Sequence, residues 1–354
     1  METQIITINK SDPPAAVLDK LSWAGSIIKR GGLVAFPTET VYGLGGDALN
    51  PDAAQKIYAA KGRPSDNPLI VHIAQISSLD KLVSSIPDKA KKLAQAFWPG
   101  SLTMIMNKSD IVPLQTTGGL GTVAVRMPSH PVALEFIKQA GGYVAAPSAN
   151  LSGKPSPTTA KYVIQDMNGR IDMIIAADDS EGVIGLESTI VDMTADIPAI
   201  LRPGYITQAM ISREIGETDI DVTIFDADSD KAPKAPGMKY RHYAPKGELA
   251  LVEGDPEKVA AYINRQTQLH KERGEKTGVI ATDTLVTKYN ADVIKNAGSR
   301  DEPLTAANRL YTFLREFDDE NVEFIYSEAF KNDGLEQAIM NRLLKAAGHK
   351  IIKV

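Results

Sequence analysis

Short apolar runs of strand type alternate with segments of helical spacing along almost the whole chain, and this alternation limits the fold more than any other feature. Residues 5–8 alternate apolar and polar, as a short strand does. Residues 15–29 then place Val17, Leu18, Leu21, Ala24, Ile27 and Ile28 at helical spacing, and Gly31-Gly32 ends the run. The pairing recurs, with strand-type runs at 33–36, 69–73, 102–107, 122–126, 143–146, 173–176 and 188–192 and helical runs at 51–58, 86–97 and 131–140. Strands interleaved with helices predict an α/β domain. Residues 226–246 break the pattern with three prolines, a glycine and little apolar periodicity, and are expected to be a linker. The alternation then resumes, with strands at 248–252, 278–281 and 322–326 and helices at 255–264, 303–317 and 334–347. The expected organisation is therefore a domain over 1–225, the linker, and a smaller α/β domain over 247–354, which a chain of 354 residues can accommodate.

Composition removes several function classes. The chain has no cysteine, which excludes disulfides, thiolate zinc sites and a cysteine nucleophile and fits a reducing compartment. Net charge is −5 and evenly spread: residues 1–245 hold 23 Lys and Arg against 26 Asp and Glu, and 246–354 hold 16 against 18. Neither part is a basic arm, so tight nonspecific nucleic-acid binding is not the expected role. The N-terminus lacks a basic stretch followed by a long apolar run, and no segment approaches the ~18 continuous apolar residues of a membrane helix, so a cytoplasmic protein is expected. The five histidines form no H-x-x-x-H pattern, which argues against a protein-built zinc site.

The richest stretch is Lys61-Gly62-Arg63-Pro64-Ser65-Asp66-Asn67-Pro68, which runs into the apolar strand that carries His72. Pro64 and Pro68 disfavour helix before them, so an ordered loop presenting Lys61, Arg63 and Asn67 is expected, suited to phosphate oxygens or else simply a charged turn. Three further loops rich in hydroxyls or glycine stand at strand ends, at 38–42, 116–122 and 147–157; the last offers Ser148, Asn150, Ser152 and Ser156. No G-x-G-x-x-G opens a helix and there is no P-loop, so a nucleotide would be held by another geometry. Ser148 lacks the elbow of a serine nucleophile. Arg126 and Arg202 each end an apolar strand, where an isolated cation can pair a substrate carboxylate. In the linker, Lys239, Tyr240, Arg241, His242 and Tyr243 set cations beside aromatics, a mixture suited to a base or phosphates, or to an ordered linker pinned on a surface. Nothing in the second domain gathers into a site.

Taken together, Pro37-Thr38-Glu39-Thr40-Val41-Tyr42-Gly43-Leu44, Lys61-Gly62-Arg63-Pro64 with Asn67-Pro68 and His72, Phe97-Trp98-Pro99-Gly100-Ser101-Leu102-Thr103, Pro147-Ser148-Ala149-Asn150 and Gly185-Leu186-Glu187-Ser188-Thr189 resemble the YrdC-type threonylcarbamoyl-AMP synthase family. The linker from Ala235 to Pro245 resembles that of its long, two-domain members. The resemblance implies a YrdC-like open, twisted, barrel-like α/β sheet with a concave active site, then a Rossmann-like C-terminal domain. It implies formation of L-threonylcarbamoyl-AMP and pyrophosphate from L-threonine, bicarbonate and ATP, with Mg2+ travelling on the nucleotide. A tRNA threonylcarbamoyl transferase complex would use the product, and a weak contact with tRNA itself is the remaining partner expectation. Carried over by residue, Thr40, His72, Arg126, Ala146 and Ser188 would hold threonine, with Arg126 on its carboxylate. Lys61, Arg63, Asn67, Thr122, Ser148, Ser156, Arg202 and Tyr243, the last preferred to Tyr240, would hold ATP. No residue is assigned as a nucleophile or as a metal ligand. The stretch 179–184 departs from the cysteine-proline wording of many relatives. The alternatives are a double-stranded RNA-binding module and a carbamoyl transfer enzyme of the hydrogenase-maturation type; the mild acidity disfavours the first and the missing zinc-finger cysteines the second.

Overall fold

The structure is a computed structural model, and it describes residues 2–177, 182–221 and 243–354. Most of the linker, 226–242, lies outside the described residues, as do Asp179, Ser180 and Glu181 of the divergent stretch. The chain divides into two compact units, one formed by residues 1–152 and 156–239 and the other by 153–155 and 240–354.

The first unit runs β1 (Gln4–Ile8), α1 (Pro14–Lys29), β2 (Val34–Phe36), β3 (Gly43–Asp47), α2 (Pro51–Lys61), β4 (Ile70–His72), α3 (Leu79–Leu82), α4 (Asp88–Phe97), β5 (Leu102–Asn107), β6 (Thr122–Arg126), α5 (Pro131–Gln139), β7 (Val144–Ala146), α6 (Ala160–Met167), β8 (Met173–Ala177), β9 (Thr189–Asp192), β10 (Ala199–Arg202), α7 (Gln208–Ile215) and β11 (Asp219–Ile220). Among the described residues the strands form one mixed, open sheet of eleven, in the order β1-β8-β2-β3-β7-β4-β6-β5-β9-β10-β11.

The period of two along each strand sorts the sheet into two faces. Ala35, Val71, Met104, Val123, Val125, Ala145, Ile174 and Val191 belong to one continuous core that also takes in residues of α2, α4 and α7. Their neighbours point the other way. At one end of the sheet that second face is apolar, with Val34, Phe36, Val144, Ala146, Met173 and Ile175 packed on α1 and α5. Toward the other end only a small cluster of Ile70, Ile105, Ala124, Ile190 and Leu201 remains apolar. Further along these same strands that face is polar: His72, Arg126 and Thr103 share it with Ile70, Ala124 and Ile105. These buried polar positions beside an apolar cluster are where the fold leaves room for chemistry.

The second unit runs β12 (Glu248–Glu253), α8 (Pro256–Glu272), β13 (Thr277–Ala281), β14 (Val293–Asn296), α9 (Pro303–Asp319), β15 (Phe324–Glu328), α10 (Gly334–Ala346) and β16 (Ile351–Lys353). Its five strands are all parallel, in the order β14-β13-β15-β12-β16. The chain steps one way from β12 to β13 and the other way from β14 to β15 to β16, and right-handed crossovers put helices of opposite direction on opposite faces. Accordingly Val259, Ala260 and Ile263 of α8 pack with Ala250 and Val279, whereas Phe317 of α9 presses on Gly278 from a different direction. Among the described residues no helix is long and apolar enough to cross a membrane.

Candidate functional site

Arg126 ends β6 in the middle of the polar stretch. Strand register sets His72 on one side of it and Thr103 on the other. The guanidinium is 4% exposed. Its Nε donates to the carbonyl of Gly100 at 3.2 Å, its Nη1 donates to Thr40 Oγ1 at 2.8 Å, and its Nη2 lies 2.8 Å from Glu39 Oε1, an ion contact without the alignment of a hydrogen bond. Burial opposes ionisation of Glu39, but the adjacent charge of Arg126 outweighs it and holds the carboxyl below its ordinary pKa. Thr38 Oγ1 sits 2.8 Å from Thr40 Oγ1 and donates to the carbonyl of Val41 at 2.6 Å, so the whole 38–41 turn is fixed around the arginine. A guanidinium has five N–H donors. Two make hydrogen bonds here, and Nη2, beside Glu39, makes none among the described residues.

His72 is buried against Phe36, the rings edge to face at 6.0 Å. Burial, and next the positive charge of Arg126, push its pKa down to about 3. Its Nδ1 lies 3.1 Å from the carbonyl oxygen of Ile70, an atom that only accepts, so Nδ1 carries the hydrogen of a neutral ring. On the far side of β6, Thr103 Oγ1 meets Ser188 Oγ at 2.7 Å, and Ser188 accepts from Arg202 at Oγ (Nη2, 3.2 Å) and at its carbonyl (Nε, 3.0 Å). Arg202 reaches this face because the β9–β10 register shifts between Ile200 and Arg202, and an extra residue in one strand re-aims the side chain after it. Ser156 donates to Glu187 Oε1 at 2.7 Å, one residue before Ser188.

A second group forms where α2 ends. Asn50 Oδ1 caps the helix at Asp52 N–H, Pro51 starts it, and Gly62 stops it in the left-handed region at φ 61°. Lys61 in the last turn is thereby swung to the 147–150 loop, where Nζ donates to the carbonyls of Ser148 at 2.5 Å and Asn150 at 2.6 Å. Arg63 Nη2 donates to the carbonyls of Asn67 and Pro68, both at 3.3 Å. Asn67 is 1% exposed, and among the described residues neither its side-chain oxygen nor its nitrogen has a hydrogen-bond partner. Buried amides are nearly always satisfied, so this one marks a place meant for a further polar group.

The structure therefore places Thr40, Arg126 and His72 beside one another and pairs Ser188 with Arg202 next to Thr103 on the neighbouring strand, and it gathers Lys61, Arg63, Asn67 and Ser148 in two loops. Ser156 adjoins Ser188 through Glu187; Thr122 shares its strand face with Arg126; Ala146 lies beside Ile70 in the apolar part of that face. Tyr243 belongs to the second unit, buried against Tyr311 with ring centroids 5.1 Å apart. Glu39 and Thr103 were not among the sequence candidates. Glu39 stands in the quoted Thr-Glu-Thr motif, but only its distance from Arg126 reveals its task. Among the described residues no three His, Asp or Glu gather to hold a metal.

Fold and site together define a YrdC-type α/β domain joined to a parallel α/β domain. The Sua5_yciO_yrdC family model, described as telomere recombination, matches residues 26–204, and that for the threonylcarbamoyl-AMP synthase C-terminal domain matches 206–348. The chain is 47% identical to the threonylcarbamoyl-AMP synthase of Bacillus subtilis over the whole of both chains, and 48% identical to that of Pyrococcus abyssi over 95% of this chain and 96% of the other. The crystal structure of P. abyssi Sua5 complexed with L-threonine superposes with a TM-score of 0.92 at 45% identity, covering 99% of this chain and 100% of that one. The chain belongs to the threonylcarbamoyl-AMP synthase family.

Proposed function

We propose that the first unit, with its boundary near residue 225, makes L-threonylcarbamoyl-AMP and pyrophosphate from L-threonine, bicarbonate and ATP, as a transferase acting on ATP. The observation that carries this reading is Arg126, a buried guanidinium held by Glu39, Thr40 and Gly100, with N–H donors still available for a carboxylate. A fixed fork of this kind suits an amino-acid carboxylate. Thr40, Ala146 and Ser188 complete the amino-acid pocket around it, and neutral His72 offers threonine a ring without adding charge beside the cation.

ATP would lie along Lys61, Arg63, Asn67, Thr122, Ser148, Ser156 and Arg202. The unsatisfied amide of Asn67 supports a polar ligand there. The threonine amine attacks bicarbonate carbon and water leaves; an oxygen of the resulting carbamate attacks the α-phosphorus and pyrophosphate leaves. No side chain needs to act as a nucleophile. The residues contribute position and charge neutralisation, which can supply ~7–11 kcal/mol of such a barrier. The cations and amides around this site make no carboxylate cage, so Mg2+ would come and go on the phosphates of ATP, and no step here is assigned to it. The product would pass to a tRNA threonylcarbamoyl transferase in the cytoplasm. The assignment of Tyr243 to the nucleotide is tested by the ATP affinity of Tyr243→Ala.

The direct test is pyrophosphate release from ATP and bicarbonate with each amino acid in turn. Release with threonine above all others is the expected result. No release with any amino acid, from folded protein, would return the RNA-binding alternative.

A further inference from the structure

The second unit buries a carboxylate that the reaction above does not use. Glu328, the last residue of β15, is 2% exposed. Its Oε1 accepts from the backbone N–H of Thr282 at 2.9 Å, and its Oε2 accepts from Thr282 Oγ1 and from Arg300 Nη2, both at 2.9 Å. Burying an ionised carboxylate is costly unless partners engage it. What this one achieves is to fix Arg300, whose guanidinium also lies over the ring of Phe330, 5.2 Å from its centroid. One N–H donor of Arg300 is committed to Glu328, and the side chain is 32% exposed. The fork is thus anchored at one end and presented at the other.

What it is presented to is a cavity of about 380 Å³, walled by Val252, Val259, Leu285 and Phe330, with Arg300 and Lys331 as its cations. All of these lie at or beyond the carboxyl ends of β12, β13, β14 and β15. From β12 the chain moves toward β13, whereas from β15 it moves the opposite way, past β12, to β16. Neighbouring strands whose connections part in this way leave a crevice at their carboxyl ends, the place where open parallel sheets take ligands. The volume is at the lower end of small-molecule sites, which run from ~300 to 1,000 Å³. Of the charges around it, Glu328 is answered by Arg300, and Glu253 lies 3.7 Å from Lys353. The ammonium of Lys331 is left unanswered among the described residues. An anionic head would meet the fork and the ammonium together, and an apolar or planar body would meet the aliphatic walls.

We infer that this cavity is a second ligand site, for an organic phosphate of nucleoside-monophosphate size, separate from the reaction site of the first unit. AMP is a suitable probe, titrated calorimetrically into the full chain. Two AMP per chain are expected, one at each site. Lys331→Glu, whose native ammonium holds nothing in the fold, should weaken one of the two by about tenfold or more and leave the other. Arg300→Lys, which keeps the charge but not the fork, should act on the same one, and Lys61→Ala on the other. Thermal unfolding of Lys331→Glu matching the parent protein shows that the fold is kept. A titration that neither Lys331→Glu nor Arg300→Lys changes, whatever its stoichiometry, overturns the inference; loss of pyrophosphate release alone would bear on the reaction site and not on this one.

Discussion

Arg126 and Arg300 are each held by a buried glutamate beside the end of a strand, yet they differ in how much of the guanidinium the protein keeps for itself. Arg126 is 4% exposed and spends donors on Glu39, Thr40 and Gly100. Arg300 is about one-third exposed and spends a single donor on Glu328, which Thr282 also satisfies twice. Glu39 thus leans mainly on its arginine, whereas Glu328 keeps two partners without one. The first pair is a finished clamp inside the core of the sheet; the second is an arginine anchored at a cavity mouth. Within the first unit a further contrast lies between Arg126, whose charge is answered by Glu39 and which donates to Thr40 and Gly100, and Asn67, whose amide has no hydrogen-bond partner among the described residues.

The largest effect expected from this contrast is on Arg126. Arg126→Ala leaves Glu39 charged and buried, which should cost ~3–5 kcal/mol in urea unfolding. It should also raise the KM for threonine by about a hundredfold while moving that for ATP by about threefold or less. Adding Glu39→Gln should restore much of the stability but not the threonine affinity. Equal effects on the two substrates would defeat the assignment to a carboxylate. Stability unaltered by Arg126→Ala would erase the distinction drawn between the two arginines.

Why the sequence shows Arg126 and Lys61 but neither Glu39 nor the second cavity is a matter of range. Strands and helices follow from local spacing, and most of those expected are present within a residue or two. Gly43-Leu44-Gly45-Gly46-Asp47 carries no apolar alternation and yet forms strand β3, because its glycines answer crowding that only the fold creates: a Cβ on Gly45 would lie 2.8 Å from Val144 Cγ1, and one on Gly46 3.1 Å from Ile57 Cδ1. Helix α8 runs to Glu272, well past the expected 264, because polar Thr267 and His270 occupy its buried positions; His270 is satisfied by Glu275 and Tyr326. The bulge that turns Arg202 has no local signature. Thr282, Arg300 and Glu328 are dispersed over three connections, and only the strand order of the second sheet brings them to one mouth.

His72 sharpens the picture of the Arg126 clamp as a place that tolerates no second positive charge. Its folded pKa is about 3, against an ordinary 6.5 when the chain unfolds. Between those values the unfolded chain binds the proton first, so stability rises with pH through this window, is complete above about 6.5, and is lost as pH falls below it. Lowering the pH from 7.5 to 5 should therefore cost the parent protein ~2 kcal/mol that His72→Gln does not lose. The urea midpoint at the two pH values measures it. An acid sensitivity identical in both proteins would place the titrating group elsewhere.

The smallest effect expected is at Asn67, and there the sign matters more than the size. Removing a side chain that neutralises a buried charge destabilises, as at Arg126. Removing an amide that is buried without partners relieves a desolvation cost of ~1–3 kcal/mol, set against the packing lost with the side chain. Asn67→Ala should therefore unfold at the parent's urea concentration or slightly above it, while its KM for ATP rises by about tenfold. Binding and stability would then move in opposite directions at Asn67 and in the same direction at Arg126. If Asn67→Ala is destabilised as strongly as a core truncation and its ATP affinity is intact, the amide is a structural residue, and the phosphate site must be sought along Lys61 and Ser148 alone.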